Sequence, residues 1–497
     1  MGTHVIGLDI GTTSAKAVLF DLSGHVVSEH EEGYPLLHPQ TGYAEQDPAE
    51  IEQAARTALK ECREKSGIEA KDISGVGISA AMHSLICMNE EGLALSPSII
   101  WADGRSVEEA AWLKREHPEI YMATGTPLHP MSPLAKLVWM KNRETEEYRE
   151  ATYFVSIKEY LTYRWFGEKT VDYSIAAATG LFNIHEHKWE PEALKLAGIK
   201  EEQLFTPVSP DYKMSGLADE VVKETGLAEE TPFVIGGSDG PLANLGIGAI
   251  QPGETAVTIG TSGAIRQFSD RPLLDEKQEI FSYSFTDDLW ITGGPSNNGG
   301  LVLSWLQKLW SGENDHYTME QFSDMAAETA AGSDRLLFLP YLNGERAPFW
   351  KSEAKGSFIG LTPSHRKEHM TRAAMEGVLF SIVHIADALN RVGNSIDKIY
   401  ASGGFARSSV WVQMLADMMQ KDVYIPTSHQ SSAWGAAWLT LCSTGQASSL
   451  EDIKQKIPME QRFEPNAENK EIYEELFNIY KDVSSQLQTT YQKLHTS

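Results

Sequence analysis

The sequence predicts an α/β protein built from two related domains. Strand-like and helix-like stretches alternate along the chain, and one strand–turn–strand unit occurs twice, about half a chain apart. The first strands open the chain. Residues 5–10 read as a buried strand, Gly11-Thr12-Thr13-Ser14 as a turn, and residues 15–21 as a second strand. Strand-like runs recur at 75–80 and 84–89. Between them Asp47-Pro48-Ala49-Glu50 predicts a helix start, with Asp as N-cap, Pro at the first position and Glu closing a capping box. Ile51, Ala54, Ala55, Ala58, Leu59 and Cys62 then form one apolar stripe, which Gly67 ends.

The repeat sets the domain count. Residues 6–16 read IGLDIGTTSAK and residues 256–266 read AVTIGTSGAIR: an apolar strand, an Ile-Gly-Thr turn with hydroxyl residues, and a return strand. LGIGAIQPGE at 245–254 supplies Gly and Pro punctuation between the copies, which divides the chain into 1–248 and 249–497. Later, KIYASGGFARSSVW (398–411) reads as a strand, a double-glycine turn and a helix start.

Bulk properties exclude several classes. The 497 residues are 41% hydrophobic and 22% charged, ordinary for a globular protein with large cores. A net charge of −27 argues against binding to nucleic acid or anionic membrane, which want clustered Lys and Arg. Anionic ligands must therefore be met by backbone N–H groups and a few local cations. Cys62, Cys87 and Cys442 stand apart with no CxxC pair, so a reducing compartment fits better than disulfides or zinc. The amino end lacks a signal-peptide pattern, and the apolar stretches at 374–389 and 433–442 read as too short or too polar to span a bilayer. A soluble cytoplasmic protein is expected.

The two turns suit phosphate. Gly11 lets the backbone turn tightly, and Thr12, Thr13 and Ser14 offer hydroxyls and N–H groups to oxygens, with Lys16 adding charge. Gly260, Thr261, Ser262 and Gly263 repeat the pattern. GxxxxGK[ST] does not occur, so this is no P-loop. Asp9 at the end of the first strand reads either as a turn cap or as a water-mediated contact to the Mg²⁺ that accompanies ATP.

These residues resemble the FGGY family of carbohydrate kinases, within the actin, Hsp70 and hexokinase superfamily. DIGTTSAK (9–16) and VTIGTSG (257–263) resemble its phosphate loops, and ASGGFARS (401–408) its adenosine loop. GSFIGLTPSHRKEHMTRAAMEG (356–377) fits the family's C-terminal signature. MSPLAKLVWMKNR (131–143) fits the N-terminal one except at Arg143, which is expected on a helix surface. Inside the family, tracts such as SAAMHSLICM (79–88), IIWADGRS (99–106) and YLNGERAPFW (341–350) are most similar to bacterial gluconate kinases and less so to xylulose kinases.

The resemblance implies two actin-like (ribonuclease H-like) domains that close on ATP, Mg²⁺ and a sugar or sugar acid, and dimers are common among relatives. It makes Asp239, in PFVIGGSDGPLANLG (232–246), the base that takes the proton of the attacking hydroxyl. Read as residues alone, Asp239 serves equally as the N-cap of the following helix. Met82, His83, Asp103 and Arg105 match the family's sugar-side positions. Arg105 or Arg346 is expected to hold a substrate carboxylate by a forked hydrogen bond, an interdomain salt bridge being the other reading. His83 alone reads as well as a core histidine, and Trp101 as packing. Asn297 to Gly300 precede a helix carrying Ser304, whose N-terminus is expected to face the phosphates. Gly403, Gly404, Ala406 and Ser408 are expected to line the adenosine pocket. His185-Glu186-His187 reads as a hairpin turn and not as a metal site. Two rivals stay open: a kinase for another polyol, xylulose foremost, and an actin-like ATP-binding sensor with no transferase activity.

Overall fold

The structure is a computed structural model and describes residues 2–311, 317–427 and 430–495. Two mixed sheets dominate it. The first has six strands, in the order Lys213–Met214, Phe233–Ser238, Ile73–Ala80, His4–Ile10, Ser14–Asp21 and Val26–Gly33. The amino-terminal three form antiparallel neighbours, whereas 4–10, 73–80 and 233–238 run parallel. Every residue of Ile73–Ala80 is buried, as a central strand covered on both faces should be. Asp9 stands opposite Ser79, and Ser79 opposite Gly237, so the three carboxyl ends share one edge.

The second sheet has seven strands, in the order Phe281–Ser284, Trp290–Ser296, Gly263–Ser269, Glu254–Ile259, Lys398–Ser402, Val423–Pro426 and Met459–Phe463. Its hairpin 254–259/263–269 reproduces 4–10/14–21, and 398–402 lies parallel beside it, with Thr258 opposite Ser402. The repeat in the sequence is therefore a repeat of topology.

Helices cover both sheets. Helix Pro48–Ser66 starts as expected, with the Asp47 carboxylate accepting from the Ala49 N–H, and ends at Gly67 in the left-handed region with φ 69°. The box differs: Glu50 stays exposed and no reciprocal bond forms. Arg143 lies at the end of helix Pro133–Arg143, partly exposed and paired with Glu109 at 2.8 Å. Helix Lys367–Arg391 departs from the sequence reading. It runs 25 residues and is long and apolar enough to cross a membrane, yet 78% of its most apolar window is buried inside the protein. Counting only 374–389 missed that the helix starts seven residues earlier.

Helix Ser431–Ser443 falls in the second half of the chain but packs on the first sheet. A side chain at Gly7 would come within 2.0 Å of the Ala433 carbonyl oxygen, and one at Gly435 within 2.0 Å of the Leu242 oxygen. Close backbone approach there requires glycine. The layer that completes the first sheet is thus contributed from beyond residue 249.

Candidate active site

A cavity of about 330 Å³ opens between the two sheets at the carboxyl ends of their parallel strands. The first half supplies Thr12, Met82, His83, Trp101 and Asp239 to its wall, and the second supplies Thr258, Gly260, Ser262, Arg266, Tyr283 and Arg346. Open sheets place ligand sites at such strand ends because loops and helix starts converge there.

The first turn is held from behind. Tyr34 Oη donates to the carbonyls of Gly11 (2.6 Å) and Ser14 (3.0 Å), and the Gly11 N–H donates to the Ser14 oxygen. The N–H groups of Thr12 and Thr13 have no protein acceptor among the described residues, as an anion-binding turn needs. Ser14 Oγ donates to Glu31 at 2.7 Å, and Lys16 sits 3.6 Å from Glu29 and 3.7 Å from Glu31. Lys16 is thus committed to carboxylates on the neighbouring strand.

Asp9 accepts from Ser79 Oγ at 2.6 Å, and burial, reinforced by the charge of Asp239, raises its carboxyl to about 6. No group of three or more His, Cys, Asp or Glu able to hold a metal occurs among the described residues, so there is no all-protein metal cage. One carboxylate beside a hydroxyl-rich turn suits Mg²⁺, which takes one or two carboxylates and completes its shell with phosphates and water.

The second turn is tied to the helix behind it. The N–H groups of Gly299 and Leu301 donate to the Thr261 carbonyl, and that of Gly300 donates to the Gly260 carbonyl at 2.7 Å. This corrects the expected role of Gly300: its amide is spent on the turn and does not face a phosphate. Ser304 Oγ likewise donates back to the Gly300 oxygen at 3.2 Å. Gly403 and Gly404 are exposed beside the 254–259 strand, and a side chain at Gly403 would meet the Ile259 oxygen at 2.5 Å. Gly403 is therefore required by strand packing whatever lies over it. Ala406 is half-buried. Ser408 Oγ caps helix Ser409–Met419 and bonds Ser323 Oγ at 2.7 Å.

Asp239 is the first residue of helix Asp239–Gly246, and Ser238 is the N-cap position. The side chain of Asp239 reaches only its neighbour's N–H, at Gly240 (2.8 Å), so the N-cap alternative fails and the carboxylate faces the cavity. Burial raises its pKa, opposed by the nearby Arg266 and Arg346. His83, with φ 67°, donates from Nδ1 to the Ala178 carbonyl at 2.7 Å, which leaves Nε2 as an acceptor. Burial lowers its pKa to about 3, so it is neutral at pH 7.

Asp103 and Arg105 correct the sequence reading. Arg105 donates to Asp103 (2.8 Å) and to Glu45, stacks 3.9 Å over Tyr43, and does not line the cavity. Asp103 also accepts from the Ala44 N–H at 2.7 Å. The pair locks two loops together and leaves no fork for a ligand. Arg346 does line the cavity. It stacks on Trp101 at 4.8 Å and donates from Nε to Asn297 Oδ1 at 2.8 Å, both neutral partners. Asn297 is thus a support for Arg346 and does not itself reach the cavity. Trp101 also donates from Nε1 to Thr12 Oγ1 at 3.0 Å, linking the first turn to the sugar side.

Residues 4–246 match the FGGY family of carbohydrate kinases, N-terminal domain, and residues 255–443 match its C-terminal domain. The chain belongs to the FGGY family of carbohydrate kinases. It is 43% identical to a gluconokinase of Bacillus subtilis (strain 168), over 99% of this chain and 98% of that protein. A xylulose kinase of the same organism is 30% identical, over 97% and 96%. Among solved structures, a gluconate kinase from Lactobacillus acidophilus superposes with a TM-score of 0.95 at 35% identity, covering 99% of both chains. A ligand-bound xylulose kinase from the same organism gives the same values, so the fold does not separate the two substrates.

As a member of this family the protein is an ATP-using carbohydrate kinase. Three residues that hold or line the cleft escaped the sequence reading. Arg266 ends the second copy of the repeat, two residues past Ala264, which pairs opposite Thr258 as Lys16 pairs opposite Asp9, so the repeat did not mark it. Lys136 Nζ donates to the carbonyls of His83 (2.6 Å), Ile99 (3.0 Å) and Ile100 (2.9 Å), tying the His83 strand end to the Trp101 loop. Lys158 Nζ donates to Asp172 (2.7 Å), Ile235 O (2.9 Å) and Gly237 O (2.8 Å), fixing the strand that delivers Asp239.

Proposed function

We propose that this kinase phosphorylates gluconate at its terminal hydroxyl, giving 6-phosphogluconate and ADP. The observation that carries the reading is Arg346, a guanidinium on the cavity wall whose side-chain hydrogen bonds go to an amide and a carbonyl and to no carboxylate. Glu345 and Asp239 act on it through charge alone, and no carboxylate is hydrogen-bonded to the guanidinium, so a sugar acid can supply the forked bond that a neutral polyol cannot. The 43% identity to a gluconokinase, against 30% to a xylulose kinase, supports the same choice.

In this reading Asp239 orients the attacking hydroxyl and accepts its proton late, as a loose phosphoryl transition state asks. His83 Nε2 accepts from a sugar hydroxyl, and Met82 and Trp101 pack on its carbon face. The 11–14 and 260–263 turns hold the phosphates from opposite sides, Asp9 orients Mg²⁺ through water, and Gly403, Gly404 and Ala406 border the adenosine. Bound Mg²⁺ supplies charge neutralisation at the phosphates. Residues 1–248 carry the sugar side and 249–497 the nucleotide side, and their closure excludes water from the reacting centre. The location is cytoplasmic.

The test is coupled ADP release with Mg-ATP against gluconate, xylulose, ribulose and glycerol, run beside Asp239→Asn. Strong turnover with gluconate that the substitution abolishes is the expected result. Preference for another polyol refutes the substrate, and full activity in Asp239→Asn refutes the base.

A further inference from the structure

A protein of net charge −27 that handles ATP needs local cations where charge builds up in transfer. Most cations around the cleft are already committed. Lys16 faces Glu29 and Glu31, Lys136 three carbonyls, Arg105 two carboxylates, and Arg346 Asn297 and the Ser296 carbonyl. Arg266 is different. Among the described residues its side chain makes no hydrogen bond and no ion pair, although it lines the cavity and Asp239 is the charge that acts on it. Removing a guanidinium from bulk water without pairing it is costly, and such groups commonly serve a ligand.

Its position selects the ligand. Arg266 lies on the strand that returns from the 260–263 turn, on the same face as Ala264, and both line the cavity. Its side chain lies over Gly240, the residue after Asp239: a Cβ there would stand 3.0 Å from Arg266 Nε. The guanidinium thus sits between the second phosphate turn and the base, crossing from one half of the molecule to the other. Arg346, stacked on Trp101 and bonded to Asn297, is held on the cavity wall by other contacts.

We propose that Arg266 is a further catalytic residue, donating to the equatorial oxygens of the phosphoryl group as it passes from ATP to the acceptor. In that step the bond from γ-phosphorus to the β–γ bridging oxygen breaks, its electron pair leaving with ADP. The bond from the acceptor oxygen to phosphorus forms, and the hydroxyl proton goes to Asp239. Arg266 loses no proton. It meets charge that is spread over the three equatorial oxygens, the role an arginine supplied in cis plays in other phosphoryl-transfer sites. The proposal rests on the family's kinase reaction, and needs neither Asp239 as base nor gluconate as substrate.

The experiment measures steady-state and single-turnover kinetics of Arg266→Ala, Arg266→Gln and Arg266→Lys, with whichever acceptor the panel shows to be turned over. ADP binding by calorimetry verifies that each variant is folded. The expected result for Ala and Gln is a fall in kcat of ~1,000-fold or more, the lower end of the range known for arginines at phosphoryl transfer, with acceptor KM and ADP affinity within about threefold. Lys should recover part of the loss, since it keeps the charge but not the fork. Gly240→Ala, which pushes on Nε, should lower kcat in the same sense. Three results overturn the proposal: unchanged kcat, a loss confined to acceptor KM, or a kcat that returns to the parent value at high pH. The last would mean that Arg266 acts only by keeping Asp239 ionised. If Asp239→Asn stays active while Arg266→Ala is dead, the base assignment falls and that of Arg266 stands.

Discussion

Replacing Lys158 with Met should disable the kinase without altering any residue that lines the cavity. The Lys158 side chain is 1% exposed and that of its partner Asp172 is fully buried. Its other two bonds hold the carbonyls of Ile235 and Gly237, on either side of Gly236, where φ is 66° and the pairing register of the strand shifts. Asp172 keeps three donors in the variant, the N–H and Oγ of Ser174 and the N–H of Ile175. Deleting one partner of a buried pair costs about 3–5 kcal/mol, because the remaining charge is stranded. The three surviving donors offset part of that, while the two carbonyls add roughly 1–3 kcal/mol each where no water reaches them. With the surviving donors offsetting roughly what the two carbonyls add, the net loss is about 3–5 kcal/mol. The strand end that carries Asp239 also loses its clamp, and a shift of ~1 Å there is worth about 100-fold in rate. Urea unfolding followed by circular dichroism reads the first quantity and coupled ADP release under folding conditions reads the second. Asp172→Asn should show the same pattern more mildly, since Asn still accepts from Ser174 and Ile175. A stability loss below about 1 kcal/mol together with a kcat within threefold of the parent would refute the role given to this pair.

Asp9→Asn should raise thermal stability at pH 7.5 while abolishing Mg²⁺-dependent turnover. The folded carboxyl titrates near 6 against an unfolded value near 4, so ionisation opposes folding as pH rises between them and costs up to ~3 kcal/mol above pH 6. The gain should therefore shrink through pH 4 and vanish near pH 3, where both states are protonated, and melting curves at pH 7.5 and pH 3 check it. Arg105→Met should lower the melting temperature, because buried Asp103 loses its partner, yet leave acceptor KM within about threefold. Arg346→Met should do the reverse, raising KM for gluconate by more than tenfold and KM for a neutral polyol little, as steady-state kinetics on both acceptors would show.

The parts of the cleft that were legible in the sequence are those where one short segment does the whole job. Gly11 to Ser14 and Gly260 to Gly263 are complete turns that local pattern marks, whereas Asp239, which follows directly on its own strand, was set apart from an N-cap only by the family resemblance. What stayed hidden depends on which distant segment arrives opposite. Lys136 and Lys158 lie in helices with ordinary neighbours, and a lone lysine in such a helix reads as solvent-facing. Only the arrival of carbonyls from residues 83, 99 and 100, or 235 and 237, turns them inward. Arg105 was misread for the converse reason. Its loop resembles a ligand loop, but Glu45, sixty residues earlier, already occupies the guanidinium. Arg266 was passed over, because the repeat ends on it without marking it. The two hairpins share a topology, yet the strand beyond the first carries Glu29 and Glu31 beside Lys16, whereas Arg266 pairs across to Gly293, which has no side chain to engage it. The return strands of two related hairpins thus carry a neutralised cation in one, Lys16, and an available one two places further along in the other, Arg266. The difference is set by the third strand and not by the turn, and for that reason the second copy is the one to test for chemistry.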